Sequence, residues 1–280
     1  MVRSKHAGIF KIFYMWIPLC VMLIFTLFPL YWTINTSLKY EGDINSFPVQ
    51  YMPKTVTTGN FRTVWVNVNF STFFRNSLFV TIISVLFVTF FSVFVGYALA
   101  RYKFKGKGFF MFLLLATQFL PASLLIIPLF TIFRDLNLLD SPWSLIIINT
   151  TMQLSFNSIL MRGFISGIPV ELEEAARIDG CSKIGGIFKT VVPLLLPGLV
   201  ATAAFSFVGV WNEFLFAFMF ISSPSGYMLP VGLRSLVGEN AINFGLLSAG
   251  SVIALVPVIL MFVYLQKYLI AGLSAGSVKG

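Results

Sequence analysis

Residues 76–100, NSLFVTIISVLFVTFFSVFVGYALA, run for 25 positions without a charged side chain. About 20 apolar residues in helical form cross the hydrocarbon of a bilayer, whereas helices of soluble domains carry apolar stripes broken by charge. The stretch therefore reads as a membrane span. The other long gaps between charges give five more, and the six lie at approximately 12–34, 76–100, 109–133, 145–161, 194–221 and 245–266. The fifth contains Glu213 but stays apolar through Ile221, where Ser222-Ser223-Pro224-Ser225-Gly226 supplies a turn. The first run is too long for a signal peptide and lacks a small-x-small cleavage site, so it is expected to stay in the mature protein. Composition agrees: 58% of the 280 residues are hydrophobic and 10% charged, with mean hydropathy +0.90. That excludes an ordinary soluble fold and predicts an all-α polytopic membrane protein.

The net charge of +9 raises the question of nucleic acid, but its placement answers otherwise. Segments 1–11, 101–107, 162–189 and 267–280 carry thirteen of the nineteen Lys and Arg, and 39–75, 134–140 and 234–239 carry six. By the positive-inside rule the first set is cytoplasmic, so both termini are expected inside and no nucleic-acid partner is called for. The cations of Arg101-Tyr102-Lys103-Phe104-Lys105-Gly106-Lys107 read as a topology anchor. Two cysteines, Cys20 and Cys181, and one histidine, His6, are too few for a disulfide framework or a zinc site, and no metal site is expected. The expected layout is a cytoplasmic N-terminus over 1–11, a six-span domain over 12–266 and a cytoplasmic tail over 267–280.

The loop at 169–193, PVELEEAARIDGCSKIGGIFKTVVP, holds four of the ten acidic residues and does not read as a linker. Pro169 can open a helix, Glu171, Glu173 and Glu174 complement the macrodipole in its first turn, and Gly180 offers a left-handed stop. A short helix over 170–179 follows, with Leu172, Ala175, Ala176 and Asp179 on one side. Ser182 can cap a second turn reaching Lys189.

Glu174-Ala175-Ala176, three residues, Gly180, nine residues, then Thr190, Val192 and Pro193 resemble the EAA loop of binding-protein-dependent ABC importer permeases. The family has Ile and Leu where this chain has Thr190 and Val192. Ile178-Asp179-Gly180, Trp211-Asn212 and the C-terminal stretch from Gly272 to Gly280 are similar to the smaller permease of maltose-type sugar importers, so the resemblance covers essentially the whole chain. It implies six transmembrane helices of the importer-permease type with a cytoplasmic coupling helix, in a bacterial or archaeal cell membrane. It also implies that Glu174 pairs with a basic residue of an ATPase subunit, that Ala175, Ala176 and Gly180 permit close approach with Asp179 in the same contact, and that Ser277 and Lys279 in the tail form a second contact. The implied partners are a second, different permease, an ATPase dimer, an extracytoplasmic solute-binding protein and membrane lipid. The chain contains no G-x-x-x-x-G-K-[ST] cradle, so ATP and Mg are expected on the ATPase subunits and no cofactor on this one. No set of side chains suits nucleophilic or acid–base catalysis, and no enzyme activity is expected.

Polar residues inside spans mark pathways or packed interfaces. Asn149, Gln153 and Asn157 are spaced i, i+4, i+8 on one face, which suits either a stripe meeting sugar hydroxyls or an interhelical seam. Gln118 falls near mid-membrane, with Pro121 and Pro128 able to bend the helix after it. Asn212 and Glu213 have two readings, a gate and a hydrated pair at the outer interface; in the first, Glu213→Gln cuts transport with assembly intact. In the resembling family the loop between spans five and six meets the binding protein, which makes Tyr227, Leu229 and Pro230 candidate contacts. The substrate expectation is a mono- or oligosaccharide. An importer for a polyamine, phosphate ester or peptide and a gradient-driven carrier are the alternatives, and the carrier lacks midplane charges beyond Glu213.

Overall fold

The computed structural model describes residues 12–238 and 242–277. Among them four helices are long and apolar enough to cross a membrane, or up to six when each of two bent helix pairs is counted as one span. The four are α1 (Ile17–Ser37), α2 (Phe70–Arg101), α5 (Pro142–Ser166) and α10 (Phe244–Ser277). The first bent pair is α3 (Lys107–Ala116) with α4 (Ala122–Asp135). The second leads from a segment beginning at Ile184 into α7 (Leu196–Trp211). Shorter helices are α6 (Glu171–Ile178), α8 (Leu215–Phe220) and α9 (Leu229–Ser235). α10 continues to Ser277, beyond the span end expected at 266.

The third span, expected over 109–133 with Pro121 and Pro128 able to bend it, is bent sharply at Pro121. Its halves meet at 100°, with Leu120 and Pro121 both extended at ψ 117° and 127°. A proline disfavours helical backbone in the residue before it and cannot donate its own hydrogen bond, so the helix stops and restarts. Pro128 sits inside α4 without interrupting it. The fifth span departs further from the single helix expected over 194–221. The chain bends by 77° at Leu195, between Pro193 and Pro197, which together remove two backbone donors at the joint. The helix then ends at Trp211, and α8 starts separately at Leu215.

The described residues form two compact units. In the first, 12–70 with 233–255, α1 exposes apolar side chains along most of its length and buries only Asn35, Thr36 and Ser37. The chain after it folds back. Lys39, 2% exposed, donates to the Gln50 carbonyl and lies 5.0 Å from the centre of the Trp32 ring, while Asn60 Nδ2 donates to the carbonyls of Ser37 and Lys39 at 2.9 and 2.8 Å. The buried ammonium is thus satisfied by a carbonyl and a ring face.

In the second unit, 71–232 with 256–277, α2, α5 and α7 pack closely because glycine lets backbones meet. A Cβ on Gly96 of α2 would stand 2.9 Å from Met161 Cβ and from the Arg162 nitrogen of α5. Gly198 of α7 faces the Phe164 ring of α5, and Phe156 meets Phe205 edge-on at 5.7 Å. Two apolar clusters result. One joins Val80, Leu145, Ile148, Val210, Phe216 and Phe220; the other joins Val93, Tyr97, Met161, Ile165, Ile187 and Val191.

Candidate functional site

Local signals build α6 as expected. Three glutamates occupy its first turn and Arg177 its last, both favourable to the macrodipole. Gly180 takes φ +86°, where L side chains are strained, and the helix closes with Gly180 N donating to the Arg177 carbonyl and Cys181 N to the Ala176 carbonyl. This is the paired pattern of a glycine-terminated helix. Ser182 Oγ accepts from Gly185 N at 3.1 Å, so the second turn is capped where expected. It passes into a π-helical stretch, Ile187–Val191, whose Ile187 and Val191 enter the second apolar cluster.

The glutamates divide their work. Glu173 Oε1 accepts from Arg101 Nε at 2.7 Å and Oε2 from the Tyr97 hydroxyl at 2.6 Å, and Arg101 also donates to the Ile168 carbonyl at 2.8 Å. The two charged side chains are 11% and 13% exposed. Sequence reasoning gave Glu173 only a dipole role and Arg101 only a topology role; 72 residues separate them, and no local pattern announces the pair. Glu174 is exposed and, among the described residues, its carboxylate has neither hydrogen bond nor ion pair. Ala175, Asp179 and Gly180 are exposed beside it and Ala176 is half-buried, while Ile178 is 86% exposed. α6 therefore presents a carboxylate, small residues and an apolar side chain on a surface its own chain leaves open. Ser277 ends α10, and Lys279 lies outside the described residues.

The polar residues of the spans fall apart into different environments. Asn149 and Asn157 are buried, and each turns its amide back onto its own helix, donating to the carbonyls of Leu145 at 2.9 Å and Gln153 at 2.8 Å. Gln153 reaches across to Gly209 of α7, in a cleft also lined by Phe156, Phe205, Val208 and Phe262. Gln118 is exposed at the break between α3 and α4. Asn212 donates to the Val208 carbonyl at 2.9 Å, and Glu213 caps α8 through the backbone nitrogens of Phe216 and Ala217 at 2.7 and 3.0 Å.

At the other end of this unit, residues 220–229 are held by side chains the sequence did not single out. Asp140, at φ +57°, accepts from Ser222 N at 3.0 Å, Ser223 N at 2.9 Å and the Ser223 hydroxyl, and its own nitrogen donates to the Phe220 carbonyl at 2.8 Å. The Ser223 hydroxyl, and then the backbone donors, hold the Asp140 carboxyl below its ordinary range. Asn76 donates to the carbonyls of Ser225 and Tyr227 at 2.8 and 3.1 Å, and Ser77 Oγ accepts from Leu229 N at 2.7 Å. Tyr227 and Pro230 are half-buried. Leu229, expected as a contact for a soluble partner, is 1% exposed and packs inside the unit, because it starts α9 against Ser77.

Residues 89–274 match the family described as binding-protein-dependent transport system inner membrane component. The chain belongs to this family. The permease is 37% identical to the sulfoquinovosyl glycerol transport system permease of Agrobacterium fabrum over 93% of its own length and 91% of the relative's. It is 35% identical to the diacetylchitobiose uptake system permease of Streptomyces coelicolor, covering 93% and 94%. Its fold matches a chain in the crystal structure of a bacterial ABC transporter involved in the import of the acidic polysaccharide alginate, with TM-score 0.83, 25% identity and coverage of 96% and 99%. The permease is thus a multi-pass membrane protein with the helical architecture of importer subunits, and its matched region includes the whole of α6.

Proposed function

We propose that this permease carries a mono- or oligosaccharide into the cell as one subunit of an ATP-driven importer. The observation that carries the coupling role is the division of labour on α6: Glu173 is consumed within the chain, whereas Glu174 stands free on an exposed surface with Ala175 and Ile178. A carboxylate beside small and apolar residues suits a groove on another subunit, with charge setting the register and close backbone approach supplying area. In this reading α6 lies in the cytoplasm with both chain termini. Glu174, Ala175, Ala176, Asp179 and Gly180 dock on an ATPase dimer that binds ATP and Mg, and Ser277 and Lys279 reach the same partner. A second permease completes the pathway. The segment around Tyr227 and Pro230, on the opposite side, meets an extracytoplasmic binding protein. The relatives that transport glycosides support the substrate class.

Of the candidate pathway residues, Gln153 lines an open cleft with Phe156, Phe205 and Val208. Asn149 and Asn157, turned onto their own helix, serve the α5–α7 seam that Gly209 and Gly198 make close. Gln118 at the bend of the third span and Asn212 with Glu213 after α7 are further positions where irregular backbone borders the pathway.

The test is purification of the tagged permease in gentle detergent, with uptake of labelled sugars by cells carrying Glu174→Ala. The expected result is recovery of an ATPase and a second permease, with uptake lost in the variant. A homo-oligomer without ATPase, or undiminished uptake by Glu174→Ala, would overturn the coupling assignment.

A further inference from the structure

We infer that Tyr97, Arg101 and Glu173 form a strut that fixes the coupling helix to the end of the second span, so that movement of α6 is delivered to α2. The inference rests on the importer reading above and goes beyond it by naming the residues that transmit the motion.

Three observations carry it. First, the contact is made at several points. Both oxygens of Glu173 are engaged, one by Arg101 Nε and one by the Tyr97 hydroxyl, and the guanidinium reaches on to the Ile168 carbonyl in the connection between α5 and α6. Tyr97 and Arg101 are i and i+4 on one face of α2, so a single helical face grips one carboxylate. Second, the pair is shielded, at 11% and 13% exposure. Exposed ion pairs contribute little, but a shielded, charge-assisted set with the fork of arginine fixes orientation as well as distance.

Third, the chain enters and leaves α6 through turns. Gly167 and Pro169 precede α6, and Gly180 at φ +86° follows it. Apart from Ile168, residues 167–170 and 179–182 are exposed or half-buried. Behind the strut, by contrast, α2 is locked: Gly96 stands in backbone contact with Met161 and Arg162, and Val93 and Tyr97 share a buried cluster with Ile165, Ile168 and Ile187. Close-packed interiors transmit displacement rather than absorb it. The strut ties the exposed coupling helix to the locked one.

The experiment uses the complete importer, with its second permease, ATPase and binding protein, in liposomes. Sugar transported per ATP hydrolysed is measured alongside the amount of ATPase that copurifies. Arg101→Ala and Glu173→Ala remove the ion pair; Tyr97→Phe and Glu173→Gln remove less and preserve packing. The charge reversal Arg101→Glu with Glu173→Arg restores the pair without the bond to Ile168. The expected result is retained copurification, transport per ATP lower by about tenfold in Arg101→Ala, smaller losses in Tyr97→Phe and Glu173→Gln, and partial recovery in the reversal. A ratio within about twofold of the unmodified complex in Arg101→Ala would overturn the strut, as would loss of ATPase from the complex in step with transport, or a reversal as impaired as the single changes. Failure of the unmodified complex to couple uptake to ATP would remove the importer reading, and the strut with it.

Discussion

Glu213 Oε1 accepts the backbone N–H of Phe216 at 2.7 Å, and Oε2 accepts that of Ala217 at 3.0 Å. A carboxylate within an apolar run reads as a pathway residue, yet its local work is to start α8 after the chain leaves α7 at Trp211. Loss of a capping acceptor costs about 0.5–2 kcal/mol. Glu213→Ala is expected to lower the thermal midpoint of the purified permease, and Glu213→Gln, which keeps one acceptor oxygen, to lower it less. Equal stability of both variants and the parent, with uptake abolished in both, would show that Glu213 serves the pathway rather than the start of α8.

Asp140 ties the 136–141 connection to residues 222–223 and supplies a pH signature. Hydrogen bonds from Ser223 and Ser222 hold its carboxyl below the ordinary range in the folded chain. A depressed folded-state pKa contributes stability above the unfolded-state value, about 3.9, and that contribution disappears as pH falls through the folded-state value. The thermal midpoint of Asp140→Asn should therefore lie below the parent by a constant margin from neutral pH down to about pH 5, and the margin should close below about pH 4. A margin that widens on acidification would contradict this.

Hydrocarbon thickness sets span length, so gaps between charges mark the apolar helices in the sequence, and the cap, dipole and glycine signals around 169–182 mark α6 because those interactions lie within a few residues of one another. Joints inside spans were harder to read. Pro121 marked one, but continued hydropathy from Leu194 to Ile221 concealed both the bend at Leu195 and the end at Trp211. The ties made by Glu173 and Asp140 join residues 72 and 83 positions apart, a distance at which a charge in the sequence shows its sign but not its partner. Asn149 and Asn157 show the complementary difficulty. Their spacing is that of a polar stripe, whereas their amide nitrogens donate within α5.

Two glycines in the same unit should respond oppositely to alanine. At Gly96 the new Cβ meets backbone and Cβ of α5 at 2.9 Å, which neither helix can yield without separating. Overpacking of this kind costs about 1–3 kcal/mol. At Gly209 the obstacle is the amide end of Gln153, which can rotate toward the adjoining cleft. Gly96→Ala is expected to reduce the yield and thermal midpoint of folded permease, and Gly209→Ala to leave both near the parent. The reverse order would disprove the backbone contact between α2 and α5.

Gly180 offers a graded test of the turn that ends α6. Its φ of +86° lies where an added Cβ costs about 1–2 kcal/mol per residue and where a proline ring, fixed near −65°, cannot follow. A Cβ there meets nothing within 4 Å, so any effect of Gly180→Ala comes from backbone strain rather than from collision inside the chain. The alanine variant should keep α6 with a loosened end and retain part of the sugar transported per ATP. Gly180→Pro should break the turn and uncouple hydrolysis from uptake. If transport per ATP is the same in both variants as in the parent, the geometry of this turn plays no part in coupling. If alanine is as damaging as proline, the missing side chain is needed for close approach by the ATPase rather than for the backbone conformation.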